Sequence, residues 1–260
     1  MSVARILWHN FKLEFLEVWE YKINFFMLFV LELIYLGVIG LSLFAIFSFV
    51  SDIKGLTLYD LALYVVIADL SVMMIQSPGM YLVEHVTKGA LNNFLIRPAN
   101  ELLLLVEFNA SAIAYCIMNI TLLTILCILF PQNISIVGFI LMLFTIIFAA
   151  PLLLFPILTV RSLSFWFGEV YAIENAYRSI AQGFNKYPVI ILSKIFFIIF
   201  LSITPIGYFG WYLPLAILVG KVSYSWMLWM WLVIIVLDVL MWFIFRFVYK
   251  RGLRRYEGFA

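Results

Sequence analysis

Residues 23–50 read INFFMLFVLELIYLGVIGLSLFAIFSFV, a run whose single charged residue is Glu32. A helix needs about 20 apolar residues to cross a hydrocarbon core of roughly 30 Å, so this stretch reads as a membrane span. Runs of the same kind recur on the C-terminal side. Over the whole chain 66% of the 260 residues are hydrophobic and only 12% are charged. A soluble domain carries about 25% charged residues, so this chain has too few to coat a globular surface. A transmembrane barrel would show alternating apolar and polar residues, and no such alternation is present. The expected fold class is an all-α polytopic membrane protein, a single transmembrane domain over residues 1–260.

Six spans are expected. After Ile23–Val50 and the short loop Ser51–Leu58 comes about Tyr59–Val83, broken near Ser77-Pro78-Gly79, and then about Leu102–Phe130. Pro131-Gln132-Asn133 turns the chain into about Ile134–Val160, where Pro151 and Pro156 predict a kink. The fifth span starts near Pro188 and ends around Thr204-Pro205-Ile206-Gly207, and the last is about Trp226–Tyr249.

Two amphipathic stretches accompany the spans. Residues 3–21 place Leu7, Trp8, Phe11, Phe15, Val18 and Trp19 on one helical face, with Arg5, His9, Lys12, Glu17 and Glu20 on the other. That pattern is expected of an interfacial helix lying in the membrane surface. Residues 164–185 gather Glu174, Asn175, Arg178, Ser179, Gln182 and Asn185 on one face, opposite Phe165, Trp166, Val170, Ile173, Tyr177 and Phe184. This second stretch either lies on the surface or lines a cavity.

Orientation follows from the basic residues. Six spans put both termini on one side, which receives Arg5, Lys12, Lys22, Lys88, Arg97, Arg161, Arg178, Lys186, Arg246, Lys250, Arg251, Arg254 and Arg255. The other side receives Lys54 and Lys221. The positive-inside rule then places both termini in the cytosol of a multi-pass cytoplasmic (inner) membrane protein. No small-residue cleavage site follows the N-terminal stretch, so no cleavable signal peptide is expected. The formal net charge of +2 is scattered at the ends of the apolar runs, which argues against a nucleic-acid partner. Cys116 and Cys127 lie about three turns apart in one span, beyond disulfide reach.

Between the second and third spans, residues 84–101 form a polar island that opens EHVTKGALNNFLIRP. Lys88-Gly89 reads as a helix stop and restart, and Arg97-Pro98 as a second stop. Leu91, Phe94 and Leu95 at i, i+3 and i+4 form an apolar stripe that faces either a partner's groove or this chain's own bundle.

The run Val86–Pro98 resembles the xxxGxLxxxLxRP loop of ABC-2 type permeases, in the branch where two unlike six-span permeases share one ATPase. The N-terminal surface helix, Tyr187-Pro188 opening span five, and the pattern Pro205…Pro214-Leu215-Ala216…Gly220 extend the likeness over nearly the whole chain. Asn92 stands where that family pattern suggests an acidic residue. The resemblance implies a permease subunit of an ABC exporter for a lipid-like, peptide or amphipathic substrate. Lys88, Gly89, Leu91, Asn92, Phe94, Leu95, Arg97 and Pro98 would form the coupling segment docked on a cytosolic ABC ATPase dimer. ATP and Mg would sit on that ATPase, and a second permease subunit, identical or unlike, would complete the transporter. Residues 205–225 would be an outer re-entrant segment shaped by Pro205, Gly207, Gly210 and Pro214.

The chain has no G-x-x-x-x-G-K-[ST] loop, so it is not expected to hydrolyse ATP itself. It also lacks a Cys/His cluster for a metal and a G-x-S-x-G elbow. Glu32, Asp69 and Asp238 lie deep within spans, with Glu107 and Lys194 nearer span ends. A lone charge at mid-membrane costs about 2.5–3.5 kcal/mol, so each acid either fixes helix packing or lines a polar path. The alternative function is an ion-coupled secondary transporter using Glu32, Asp69 and Asp238. Trp211, Tyr212, Tyr224, Trp226 and Trp229 read as an aromatic belt or a stacking platform.

Overall fold

The computed structural model describes residues 8–9, 12–13, 15–16, 19–76, 79, 81–92, 110–129, 134–183, 186, 193, 198 and 205–256. Its helices are α1 Lys22–Phe47, α2 Leu58–Gln76, α3 Leu82–Thr87, α4 Ala110–Leu129, α5 Ile136–Ala149, α6 Pro151–Ser162, α7 Ser164–Phe167 and α8 Tyr171–Gly183. A π-helical turn Gly207–Tyr212 leads into α9 Leu213–Leu218, and α10 Tyr224–Arg255 closes the chain. No strand occurs among the described residues. Phe26–Phe47, Ile136–Phe167 and Tyr224–Arg255 are each long and apolar enough to cross a bilayer. The chain is an all-α integral membrane protein. Most of the expected fifth span, with Glu107 and Lys194, falls outside the described residues.

α2 is the axis of the bundle. Between Leu61 and Val72 nearly every side chain is buried, because α1, α4, α9 and the π-helical turn surround it. A helix that is apolar on all sides belongs in such a position. α4 runs antiparallel to it, and the Tyr59 hydroxyl reaches the Leu126 carbonyl at 3.4 Å. α1 and α10 leave most of their apolar side chains uncovered by this chain, as bilayer-facing helices do.

α5 and α6 run on from one another. Ala150 between them keeps helical angles, φ −53° and ψ −41°. Pro151 takes the first turn of α6, where its missing N–H is harmless. The Ser135 hydroxyl caps the other end, accepting from the Gly138 amide at 2.9 Å. α10 packs along α5 and α6. Its 32 residues span roughly 48 Å, longer than the hydrocarbon core, so its last turns project beyond.

The stretch that starts at Pro205, expected as a re-entrant element, is a buried helical segment. Pro205, Gly207, Gly210 and Pro214 are all buried within it. The Pro205 carbonyl accepts from the Tyr208 and Phe209 amides. Gly210 is required by space: a Cβ there would collide with Ile206, and its carbonyl accepts from Ser71 Oγ of α2 at 3.2 Å. The aromatic belt is corrected at Trp211, which is 0% exposed, whereas Tyr224, Trp226 and Trp229 stand out from the surface.

The segment is pinned to the loop joining α1 and α2. Lys221 Nζ donates to Asp60 Oδ2 at 2.9 Å and to the Gly55 carbonyl at 3.1 Å. This contact fixes the topology: the α1–α2 loop and the start of α10 share one face, called here the Lys221 face. Lys22 and Arg255 share the opposite Lys22 face.

Candidate functional site

The polar island starts at the Lys22 face as α3, whose Leu82, Val83 and Val86 are buried. Gly89 then adopts a left-handed φ of +72°, a conformation that favours glycine and stops the helix. The Leu91 amide closes the turn by donating to the His85 carbonyl at 3.1 Å. Glu84 and Lys88 pair across one helical turn at 2.6 Å. Their hydrogen bond holds the Glu84 carboxyl below its ordinary pKa and the Lys88 ammonium above its own. Burial lowers the His85 pKa, partly opposed by Glu84.

The expected docking stripe of Leu91, Phe94 and Leu95 is corrected at its first member. Leu91 is 4% exposed and joins Leu82 and Val86 in an apolar cluster with Leu158, Phe165, Phe245 and Tyr249. Own-bundle packing wins there because Phe165 and the end of α10 offer a dry seat. Phe165 meets Tyr249 and Tyr256 edge-on at 5.8 and 6.0 Å. Gly252 makes room for it, since any Cβ would strike the Phe165 ring. Lys88 is exposed, and Gly89 and Asn92 are half-buried. Phe94, Leu95, Arg97 and Pro98 lie outside the described residues.

The second amphipathic stretch is not one helix. Gly168 (φ +71°) divides it into α7 and α8. Its polar face is turned partly inward: Arg161, 1% exposed, donates from Nε to Glu174 Oε2 at 3.1 Å and from Nη2 to Oε1 at 2.8 Å. Arg178 Nε reaches the same carboxylate at 2.8 Å. Burial works to raise the Glu174 pKa, but the hydrogen bonds and charges of the two arginines outweigh it and the net shift is downward. Sequence patterning missed this network, because Arg161 lies thirteen positions away on another element.

α8 packs beside α6. Glu174 meets Arg161 near the end of α6, and Tyr177, one turn on, packs against the main core. Beyond α8, the Lys186 ammonium sits over the Tyr35 ring, 5.5 Å from its centroid. Tyr35 lies about 20 Å along α1 from Lys22. Lys186, expected among the charges at the Lys22 face, therefore lies several turns along α1 from Lys22.

Two of the three deep acids come together there. Glu32 of α1 and Asp69 of α2, both buried, are close enough to repel one another. Tyr35 lies one turn beyond Glu32 on α1, and Tyr115 is on α4. Asn119, fully buried one turn from Tyr115, donates to the Tyr115 carbonyl at 3.0 Å. Asp238 is on α10, which packs chiefly on α5 and α6.

A family model described as ABC-2 family transporter protein matches residues 33–260. No curated protein matches the chain, and no solved structure does.

Proposed function

The chain belongs to the ABC-2 transporter family and is a membrane permease subunit of an ABC transporter, and on that premise we propose that it exports a lipid-like, peptide or amphipathic substrate. The Lys22 face is cytosolic and the membrane is the cytoplasmic (inner) one. A cytosolic ATPase dimer docks on the Lys88–Pro98 segment and carries the ATP and Mg. A second permease, identical or unlike, faces this chain across the transporter, and residues 205–225 form the outer re-entrant element.

The observation that carries this reading is the seat beneath the loop. A docking element transmits force only if its base is rigid, and Leu82, Val86 and Leu91 are locked against Phe165 and the last helix. Movement of the loop is handed to α7, and from Phe165 to Tyr249 and Gly252 of α10. The last helix spans the bilayer, so a push at the cytosolic surface reaches the outer side through it.

The test is co-purification with the ATPase in a co-expression experiment. Replacing Phe94 and Leu95 by Asp buries two carboxylates in an apolar groove, which is strongly unfavourable. Release of the ATPase from an otherwise folded membrane protein is the expected outcome. A motor that stays bound to the double variant contradicts docking on this segment.

The rival reading, an ion-coupled carrier, requires Glu32, Asp69 and Asp238 in one relay. The packing of α10 away from the Glu32–Asp69 pair weighs against it.

A further inference from the structure

We propose that the end of α10 is a docking surface for anionic lipid headgroups in the leaflet at the Lys22 face, with Arg246, Lys250, Arg251 and Arg254 as its contacts. The surface is independent of what binds the polar loop.

From Val239 to Tyr256 the sequence holds five basic residues and no acidic one. Arg246, Lys250, Arg251, Arg254 and Arg255 are all exposed, and none forms an ion pair among the described residues. Charges that served only to orient a span could lie anywhere around its end. These do not. At 100° per residue, Arg246, Lys250, Arg251 and Arg254 share one face with the exposed Phe243 and Phe247. Phe245, Tyr249 and Gly252, all buried, occupy the opposite face. The two sides of these turns are therefore put to different uses: one seats Phe165, and the other stands open.

The open side continues the bilayer-facing stripe of the same helix. Trp229, Leu232, Val236, Leu240, Phe243 and Phe247 follow one another along it, all exposed. Trp229 and Phe247 are about 27 Å apart along the axis, close to the thickness of the hydrocarbon core. Lys250 and Arg251 lie about 5 Å further on and Arg254 about 10 Å, the depth at which headgroups begin. Cations at that depth stand among lipid phosphates.

Aromatic rings prepare the contact. The Arg251 guanidinium lies over the Phe247 ring, 4.6 Å from its centroid, and that of Arg246 lies 6.0 Å from the Trp242 centroid. Stacking orients the guanidinium plane and leaves its N–H groups free for oxygen acceptors. A second copy of this chain seated on the same face would bring the same cations and be repelled. An anionic lipid supplies both needs, an acyl chain against Phe243 and Phe247 and a negative charge beyond them.

The experiment reconstitutes the complete complex, with its ATPase and partner permease, in phosphatidylcholine vesicles carrying a trace of photoreactive lipid. Two probes with identical acyl chains are compared, a phosphatidylglycerol and a phosphatidylcholine, and cross-linked peptides are quantified by mass spectrometry. The anionic probe should label residues 243–255 about fivefold or more above the zwitterionic one. Replacing Lys250→Gln, Arg251→Gln and Arg254→Gln together should remove most of that excess. In the unmodified protein, which sidesteps any folding defect of the variant, about 1 M salt should lower it as well. Unlabelled phosphatidylglycerol should compete, whereas glycerol phosphate in solution should not. Equal labelling by the two probes, or an excess that survives both the triple substitution and high salt, would overturn the proposal. So would a face that neither probe reaches, since a protein partner would then cover it. Competition by soluble glycerol phosphate would also overturn it, by making this a site for free phosphate esters.

Discussion

Two groups of buried charge sit at different depths of this molecule and are treated in opposite ways. Near the Lys22 face, Glu174 receives three hydrogen bonds from two arginines at 2.8–3.1 Å. At mid-membrane, Glu32 faces a second carboxylate and keeps an acceptor unmatched among the described residues. The first is architecture: it ties α8 to the end of α6. The second sits where α1, α2 and α4 meet. Compensated charge marks what the fold must keep still.

The largest effect tests the first half of that contrast. Arg161→Ala leaves Glu174 buried with half its partners, a change that costs about 3–5 kcal/mol. Thermal unfolding of the nanodisc-embedded protein should begin well below the parent. Replacing both partners, Arg161→Met with Glu174→Leu, should recover most of the loss, since an apolar pair of similar volume replaces a dry ion pair at little cost. A double variant as unstable as the single one would mean that the ion pair itself specifies the fold.

A much smaller effect is expected at the other group. Glu32→Gln should change stability by less than about 1 kcal/mol or raise it, because it removes one of two repelling charges. Measured in the same melting assay, a large destabilisation would make Glu32 a structural residue and erase the distinction.

The two regions also differ in how far the sequence disclosed them. Span positions were legible because length and apolarity suffice: Ile23–Val50 became Lys22–Phe47, and Trp226–Tyr249 lengthened into α10. The extension reflects packing that no window of hydropathy contains. Tyr249 and Gly252 are buried because Phe165, far off in sequence, lies against them. Periodicity identified the polar face of α8 but not its direction, since a pattern defines faces without naming neighbours. The same limit applies to Leu91, whose helical spacing suits a partner's groove as well as this chain's own. Glu32 and Asp69 were each visible as misplaced charges, whereas their meeting depends on how α1 seats on α2. Trp211 misled because aromatic residues near a span end fit a belt and a core equally well.

The central claim is that force from a separate motor enters at the loop and reaches α8 through the helices packed on it. Its most direct test follows the rate at which a membrane-impermeant thiol reagent labels Ser179→Cys, in a background with Cys116→Ala and Cys127→Ala, within the complete complex of ATPase and both permeases. Trapping the ATPase with ATP and vanadate should change that rate, and Phe94→Asp with Leu95→Asp should abolish the change. A rate that still responds to ATP in that loop variant, or that responds to a proton gradient in this chain alone, would contradict the account.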